Sequence, residues 1–200
     1  MSIALASLIE KTKEDKVLLE QILSSFSCVQ DEDIENFLHK RAVPFEELSK
    51  SRTYLICDQE QMESNVISLE QLQIYGYISL ALKVLSVPDN VSNNRRKDID
   101  GLSAKIHGEV INDFTCYLIG QLSKNSNVTD NVLSGNELLQ IAFSIIADAV
   151  ELVGGRYMMI ECHNNEKLIN FYSRNGFEKL SCVSDDNIEM VQMIRKNFLV

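Results

Sequence analysis

The turn Leu133-Ser134-Gly135-Asn136-Glu137-Leu138-Leu139 brings together a hydroxyl, a glycine, an amide and a carboxylate at the start of a long amphipathic run. If that run is helical, its unpaired backbone N–H groups and the positive end of its dipole meet at the turn. The chemistry this suits is anion binding, for instance of a pyrophosphate. Asn93-Asn94-Arg95-Arg96-Lys97 is the one dense basic cluster. It reads either as a solvated loop or as a contact for an anionic ligand. Cys28, Cys57, Cys116, Cys162 and Cys182 are scattered and odd in number, and at least three lie in apolar runs. With no Cys-x-x-Cys pair, buried free thiols are expected rather than a zinc or redox site. His39 and His107 have no metal-like spacing with other ligands, so no metal is expected.

The turn needs elements to position it. Before it, Cys116 to Ser123 is an apolar run of strand length; behind the helix, Arg156 to Cys162 reads as a second strand. Leu138, Ala142, Ile145, Ala149 and Leu152 recur at helical spacing as a core stripe, and Gly154-Gly155 gives the stop. Strand, helix and strand in that order form a βαβ unit with parallel strands. The helix therefore opens at the carboxyl end of the first strand, where ligands of such units bind.

Around this unit the chain reads as one mixed α/β domain. Residues 1–25 are an N-terminal extension of uncertain form, in which Glu14 to Leu23 suits a helix or, through Val17-Leu18-Leu19 and Ile22-Leu23, a first strand. Asp31 to Ala42 suits a helix with acidic residues first, basic residues last, and Ile34, Phe37, Leu38 and Ala42 on one face. Pro44 lies near its end. Thr53 to Cys57 and Ile74 to Leu82 are strands, expected to pair antiparallel across a polar segment reaching about Gln71. Val87 to Glu109 reads as irregular and Asn125 to Asn131 as a polar loop. Asn165 can cap a short helix ending at Gly176. Phe177 to Val183 and Ile188 to Ile194 read as a closing hairpin around residues 184–187.

Two hundred residues, 45% hydrophobic and 24% charged, suit one soluble domain with a full core. A net charge of −10 argues against a broad nucleic-acid surface. No apolar run has the length to span a bilayer and the amino end lacks a signal-peptide pattern, so a cytoplasmic protein is expected.

Asn165-Glu166-Lys167-Leu168-Ile169-Asn170-Phe171-Tyr172-Ser173-Arg174-Asn175-Gly176-Phe177 resembles the late motif Asn-Glu-x-x-x-x-x-Tyr-x-x-x-Gly-Phe of the GNAT superfamily of acetyl-CoA-dependent N-acetyltransferases. Ile119 to Ser123 resembles that family's cofactor strand, and Ser134 to Leu139 its pyrophosphate turn. The first half is similar to the subgroup that includes acetyltransferase toxins, with Phe26-Ser27-Cys28, a Phe-Leu helix, a Ser-Arg-Thr-Tyr strand and a Gly-Tyr strand. The turn departs from the family pattern Gln/Arg-x-x-Gly-x-Gly/Ala: Leu133 stands at the first glycine and Asp130 at the basic or amide position. A leucine resists positive φ, and a carboxylate repels a pyrophosphate. Two outcomes are open. Either the loop takes another path, with the Ser134 hydroxyl and the Gly135 and Asn136 amides substituting, or cofactor binding is weak.

The resemblance implies a GNAT-like α/β fold with a splayed, mostly antiparallel sheet and one parallel βαβ unit. It also implies acetyl-CoA as co-substrate and direct attack by an amine. Cofactor contacts would fall to Gln121, Leu122, Ser123, Leu133, Ser134, Gly135, Asn136, Glu137, Asn165 and Phe171, with a strand N–H near Leu122 facing the developing oxyanion. Tyr172 would protonate the departing thiolate, its alternative being an aromatic core residue. Asn165 is equally an N-cap. Glu161 and His163, at the end of the second parallel strand, are candidate bases through water, or plain strand-end polar residues. The expected partners are acetyl-CoA and a small-molecule or peptide amine, with aminoacyl-tRNA as the alternative acceptor and no membrane. A homodimer, and a non-catalytic CoA-binding or interaction module with a degenerate turn, are kept open.

Overall fold

The computed structural model describes residues 2–57, 69–185 and 188–197. Seven strands form a mixed sheet in the order β1-β2-β3-β6-β7-β9-β8. They are β1 (Ser2–Ala4), β2 (Arg52–Cys57), β3 (Ile74–Ser86), β6 (Asp113–Lys124), β7 (Tyr157–His163), β8 (Glu178–Asp185) and β9 (Ile188–Lys196). β4 (Lys105–Ile106) and β5 (Glu109–Val110) pair separately. β6 and β7 run parallel through Tyr117–Met158 and Leu118–Met159, whereas β1–β2, β2–β3, β7–β9 and β8–β9 are antiparallel. The expected mixed α/β architecture with a parallel βαβ unit is present, its helix being α6 (Gly135–Val153). The chain divides into two compact units, Met1–Ala81 with Gly120–Ala142, and Leu82–Ile119 with Phe143–Val200.

In the first unit, β1 adds to β2 and leads into α1 (Leu5–Lys11), so part of the N-terminal stretch is a sheet edge. Between the two readings open for Glu14 to Leu23, the helix holds, as α2 (Lys16–Ser24). Asp15 caps it by accepting the Leu18 N–H at 2.9 Å, and Leu19, Ile22 and Leu23 bury one face. The expected 31–42 helix is α3 (Glu32–Asn36), a π turn (Phe37–Arg41) and α4 (Ala42–Glu47). Pro44 has no N–H to bond the Lys40 carbonyl, and the ladder shifts just before it: the Ala42 N–H bonds Phe37 O, five residues back. Phe37, Leu38 and Ala42 still enter the core, with Ile34 packed at its edge. Tyr77 is its centre, edge-on to Phe26 at 5.0 Å and stacked on Phe37 at 6.4 Å, and its hydroxyl donates to Ile34 O at 2.6 Å. Part of the expected loop to Gln71, residues 58–68, lies outside the described residues.

In the second unit, three expectations are corrected. The 87–109 stretch contains α5 (Asn93–Asp100), capped by the Ser92 hydroxyl on the Arg95 N–H at 3.2 Å and closed by Gly101 at φ 91°. The basic cluster is therefore a helix rather than a solvated loop, and Arg96 is 2% exposed. Its guanidinium donates to Val91 O, Ile111 O, Asn112 Oδ1 and Pro88 O at 3.2, 3.0, 2.6 and 2.6 Å. Arg95 pairs with Asp98 and Glu178. The α6 stripe is also shifted, because Leu152 is exposed while Ile146 and Val150 are buried. Two residues beyond Val150 lie about 200° round the helix. Cys182 is likewise exposed, while the other four cysteines are buried and no disulfide joins any of the five. The 178–196 hairpin forms as expected, although residues 186–187 of its turn lie outside the described residues. No described helix is long and apolar enough to cross a membrane.

Candidate functional site

Gln121, Leu122 and Ser123 stand half-buried at the carboxyl end of β6. Buried Asn125 fixes that end. Its backbone N–H donates to Tyr75 O at 2.8 Å, and its Nδ2 donates to Ile74 O at 2.8 Å and Ser25 O at 3.3 Å. Its Oδ1 accepts the Ser27 N–H at 3.0 Å. The 25–28 segment is thereby clasped to the strand, with Cys28 Sγ 3.4 Å from Ser123 Oγ. Gly76 permits the close approach on the β3 side. A methyl group there would come within 2.7 Å of Ser123 O, 3.0 Å of Leu133 and 3.4 Å of Leu138.

The loop between β6 and α6 takes its own path. Asn131 donates to Tyr75 O and Asn125 O and accepts the Leu133 N–H at 3.1 Å. The left-handed residue is Asp130, at φ 55°, and not Leu133. Asp is among the few residues that enter this region readily. Leu133 therefore serves as an apolar neighbour of Gly76 with its backbone tied down. At the helix start, the Ser134 N–H donates to Glu137 Oε2 at 2.7 Å, and Ser134 Oγ accepts the Glu137 N–H at 3.1 Å. This is a capping box. The hydrogen bond from the Ser134 backbone holds the Glu137 carboxyl below its ordinary value. Ser134 and Glu137 thus satisfy each other, and Gly135 begins the helix without a side chain. The Ser134 N–H and the amides that open α6 are donors of the kind a pyrophosphate would need, and the exposed Glu137 carboxylate holds the first of them in this structure.

The late motif forms α7 (Glu166–Arg174), whose N-cap Asn165 accepts the Lys167 N–H at 2.9 Å. Gly176, at φ 83°, turns the chain so that the Phe177 N–H reaches Tyr172 O at 3.1 Å. Tyr172 lies edge-on to Phe171 at 5.0 Å and to Phe177 at 5.6 Å. Burial, with the neighbouring Cys162 thiol adding to it, pushes its phenol up to about 12.

Of the two candidate bases, His163 is exposed at the end of β7. Glu161 is held on both oxygens: Oε1 accepts Gln192 Nε2 at 2.9 Å and Oε2 pairs with Lys83 Nζ at 2.6 Å. Gln192 Oε1 in turn accepts Ser181 Oγ at 2.5 Å. Lys83 and Gln192 escape a reading by motif, although a lysine inside the apolar run Leu80 to Leu85 was a visible signal. No group of three His, Cys, Asp or Glu side chains is arranged to hold a metal among the described residues.

No family model matches the chain, and no curated protein matches it. Solved structures do. A tyrosine-to-phenylalanine mutant of KacT aligns with a TM-score of 0.59 at 18% identity over 85% of each chain. AtaTR bound with acetyl-CoA gives 0.58 at 20% identity, over 85% of this chain and 84% of that one. AtaT complexed with acetyl-methionyl-tRNAfMet gives 0.58 at 21% identity, over 84% and 85%. The likeness is one of fold, shared over about 85% of the chain at TM-scores of 0.58 to 0.59.

Proposed function

We propose that this chain is an acetyl-CoA-dependent N-acetyltransferase acting on a primary amine of a small molecule or peptide. The observation that carries the reading is the parallel pair β6–β7 with α6 opening just after β6, in a fold shared with a structure bound to acetyl-CoA. In this reading the β6 end (Gln121, Leu122, Ser123) lines the pantetheine arm, and the Leu122 N–H faces the carbonyl oxygen as charge develops there. Leu133, Ser134, Gly135, Asn136 and Glu137 form the pyrophosphate turn, with Asn165 and Phe171 as further cofactor neighbours. The amine attacks the thioester carbon, the C–S bond breaks, and Tyr172 gives its proton to the sulfur. A phenol raised to about 12 is fully protonated at neutral pH, as a donor must be.

The alternative acceptor, aminoacyl-tRNA, draws on the AtaT complex with acetyl-methionyl-tRNAfMet. The charges disfavour it. Phosphate binding needs free Lys and Arg side chains, yet within the one dense basic cluster Arg96 is buried on carbonyls and Arg95 is paired with two carboxylates. Thermal melting with and without acetyl-CoA tests binding, since ligand at about 100 times its dissociation constant adds about 2.7 kcal/mol. Thiol release with labelled amines, peptides and charged tRNA then tests transfer. A melting shift with no transfer would leave the non-catalytic CoA-binding module, a flat melt with no transfer would leave only an interaction module, and salt-sensitive labelling of tRNA alone would reverse the choice of acceptor.

A further inference from the structure

We propose that Glu161 is the recognition carboxylate for a cationic acceptor, and that the Lys83 ammonium occupies the place the acceptor's ammonium takes. The inference rests on the acetyltransferase reading and deepens it. Glu161 follows Met159 by two residues, so it lies on the same face of β7, just past the Leu118–Met159 pair of the parallel ladder. Its Oε1 is fixed by Gln192, which is itself 8% exposed and braced by Ser181. Its Oε2 holds an ammonium at 2.6 Å in a pair that stays accessible, with the Glu161 and Lys83 side chains 23% and 38% exposed. One oxygen is thus anchored and the other presents a cation site open to exchange. Lys83 is a suitable occupant to displace, because its flexible stem returns the charge to water when another ammonium arrives.

The alternation along β7 gives the site its chemical sense. Glu161 and Cys162 point to opposite faces of the strand. Tyr172, on the Cys162 side, is near enough for that thiol to raise its pKa. The acceptor amine therefore arrives on one face of β7 and the proton donor stands on the other. Glu161 takes a proton from the bound R–NH3+, leaving R–NH2, whose lone pair forms the C–N bond to the thioester carbon. The C–S electron pair leaves on sulfur and collects the Tyr172 proton. The acylated nitrogen loses its second proton to water, the tyrosinate recovers one from water, and Glu161 releases its proton to water. The sum is an amide, CoA thiol and one proton.

The test compares wild type, Glu161→Gln and Lys83→Met with acetyl-CoA and a panel of spermidine, a lysine-bearing peptide and neutral-side-chain amino acids. Glu161→Gln keeps the shape and the bond to Gln192. It is expected to cut kcat/KM for the acceptor about 10²- to 10⁴-fold and to leave the KM for acetyl-CoA and its thermal shift unchanged. Lys83→Met removes the competitor and is expected to lower the KM for the cationic acceptors. Unchanged acceptor kinetics in Glu161→Gln, or an acceptor KM that rises or stays put in Lys83→Met, would overturn the assignment of Glu161 alone. A wild-type protein that neither binds nor consumes acetyl-CoA would instead overturn the acetyltransferase reading beneath it. Should Glu161→Gln melt early, Lys83→Met decides by its KM.

Discussion

Ser134 and Glu137 cap each other, the backbone N–H of each donating to the side-chain oxygen of the other. The reciprocal bond uses the two donors that a phosphate at this turn would seek, and it places a carboxylate where the helix dipole attracts negative charge. Glu137→Gln keeps a hydrogen-bonding side chain without the charge. It should bind CoA more tightly than wild type in a titration while melting slightly lower without ligand. Because the folded carboxyl is held below its ordinary value of 4.5, its stabilisation is complete above that value and lost as pH falls through the depressed one. The melting difference between wild type and variant should therefore be present at pH 7 and shrink at the acidic end.

Gly135→Val should abolish the CoA-induced thermal shift while the apo protein stays folded. The position lies outside the left-handed region and begins a helix, so valine is tolerated by the backbone and its bulk covers the turn. An undiminished shift would remove the turn from the cofactor site.

Tyr172→Phe keeps the ring that packs between Phe171 and Phe177 and removes the hydroxyl. Turnover should fall about 10²- to 10⁴-fold, with CoA affinity little changed. Since the phenol is raised to about 12, any loss of wild-type activity between pH 8 and 10 should come from another group and persist in shape in the variant.

Arg96→Ala strips four acceptors of their donor at a 2% exposed site. At about 1–3 kcal/mol for each unsatisfied buried group, partly relieved by water, a loss of about 3–5 kcal/mol is expected in chemical denaturation. Lys97→Ala, on the exposed side of the same helix, should change stability by less than about 0.5 kcal/mol.

Gly76→Val tests the close approach of β3 to the β6 end. A side chain there meets the Ser123 carbonyl oxygen at 2.7 Å, which is backbone and has little room to retreat. Both the melting temperature and the CoA shift should drop, more than for Gly135→Val in the first measure.

The elements legible in the sequence were those with strong periodicity or punctuation. The β6 strand, the α6 helix with its Gly154-Gly155 stop, the Asn165 cap and the 178–196 hairpin follow from local patterns. α5 was hidden because Asn93 to Asp100 has a single apolar residue, Ile99, and is held by a cap and by Arg96 reaching across to distant carbonyls. Arg96 shows how a charge run misleads: its neighbours decide its burial, and those neighbours are not adjacent in sequence. At the turn, the departure at Leu133 and Asp130 was visible, but its resolution was not. Asp130 takes the left-handed backbone and Asn131 ties off Leu133, relations that need the loop's full path. The Glu161 network joins three separate strands through Lys83 and Gln192, and no local pattern announces it.

The clasp made by Asn125 has a consequence for synthesis. Its partner Ser27 lies 98 residues earlier in the chain. At a translation rate of about 5–20 residues per second, that is a wait of about 5–20 s. During it the 25–28 segment, and the backbone carbonyl of Ser25, have no Asn125 to hold them. α2 and α3 can form early on their Asp15 and Asp31 caps, but the shape they present beside the end of β6 is completed only after that strand has left the ribosome. A nascent chain shorter than this is therefore expected to have its amino-terminal segment open to proteases, and to close it in one step when Asn125 arrives.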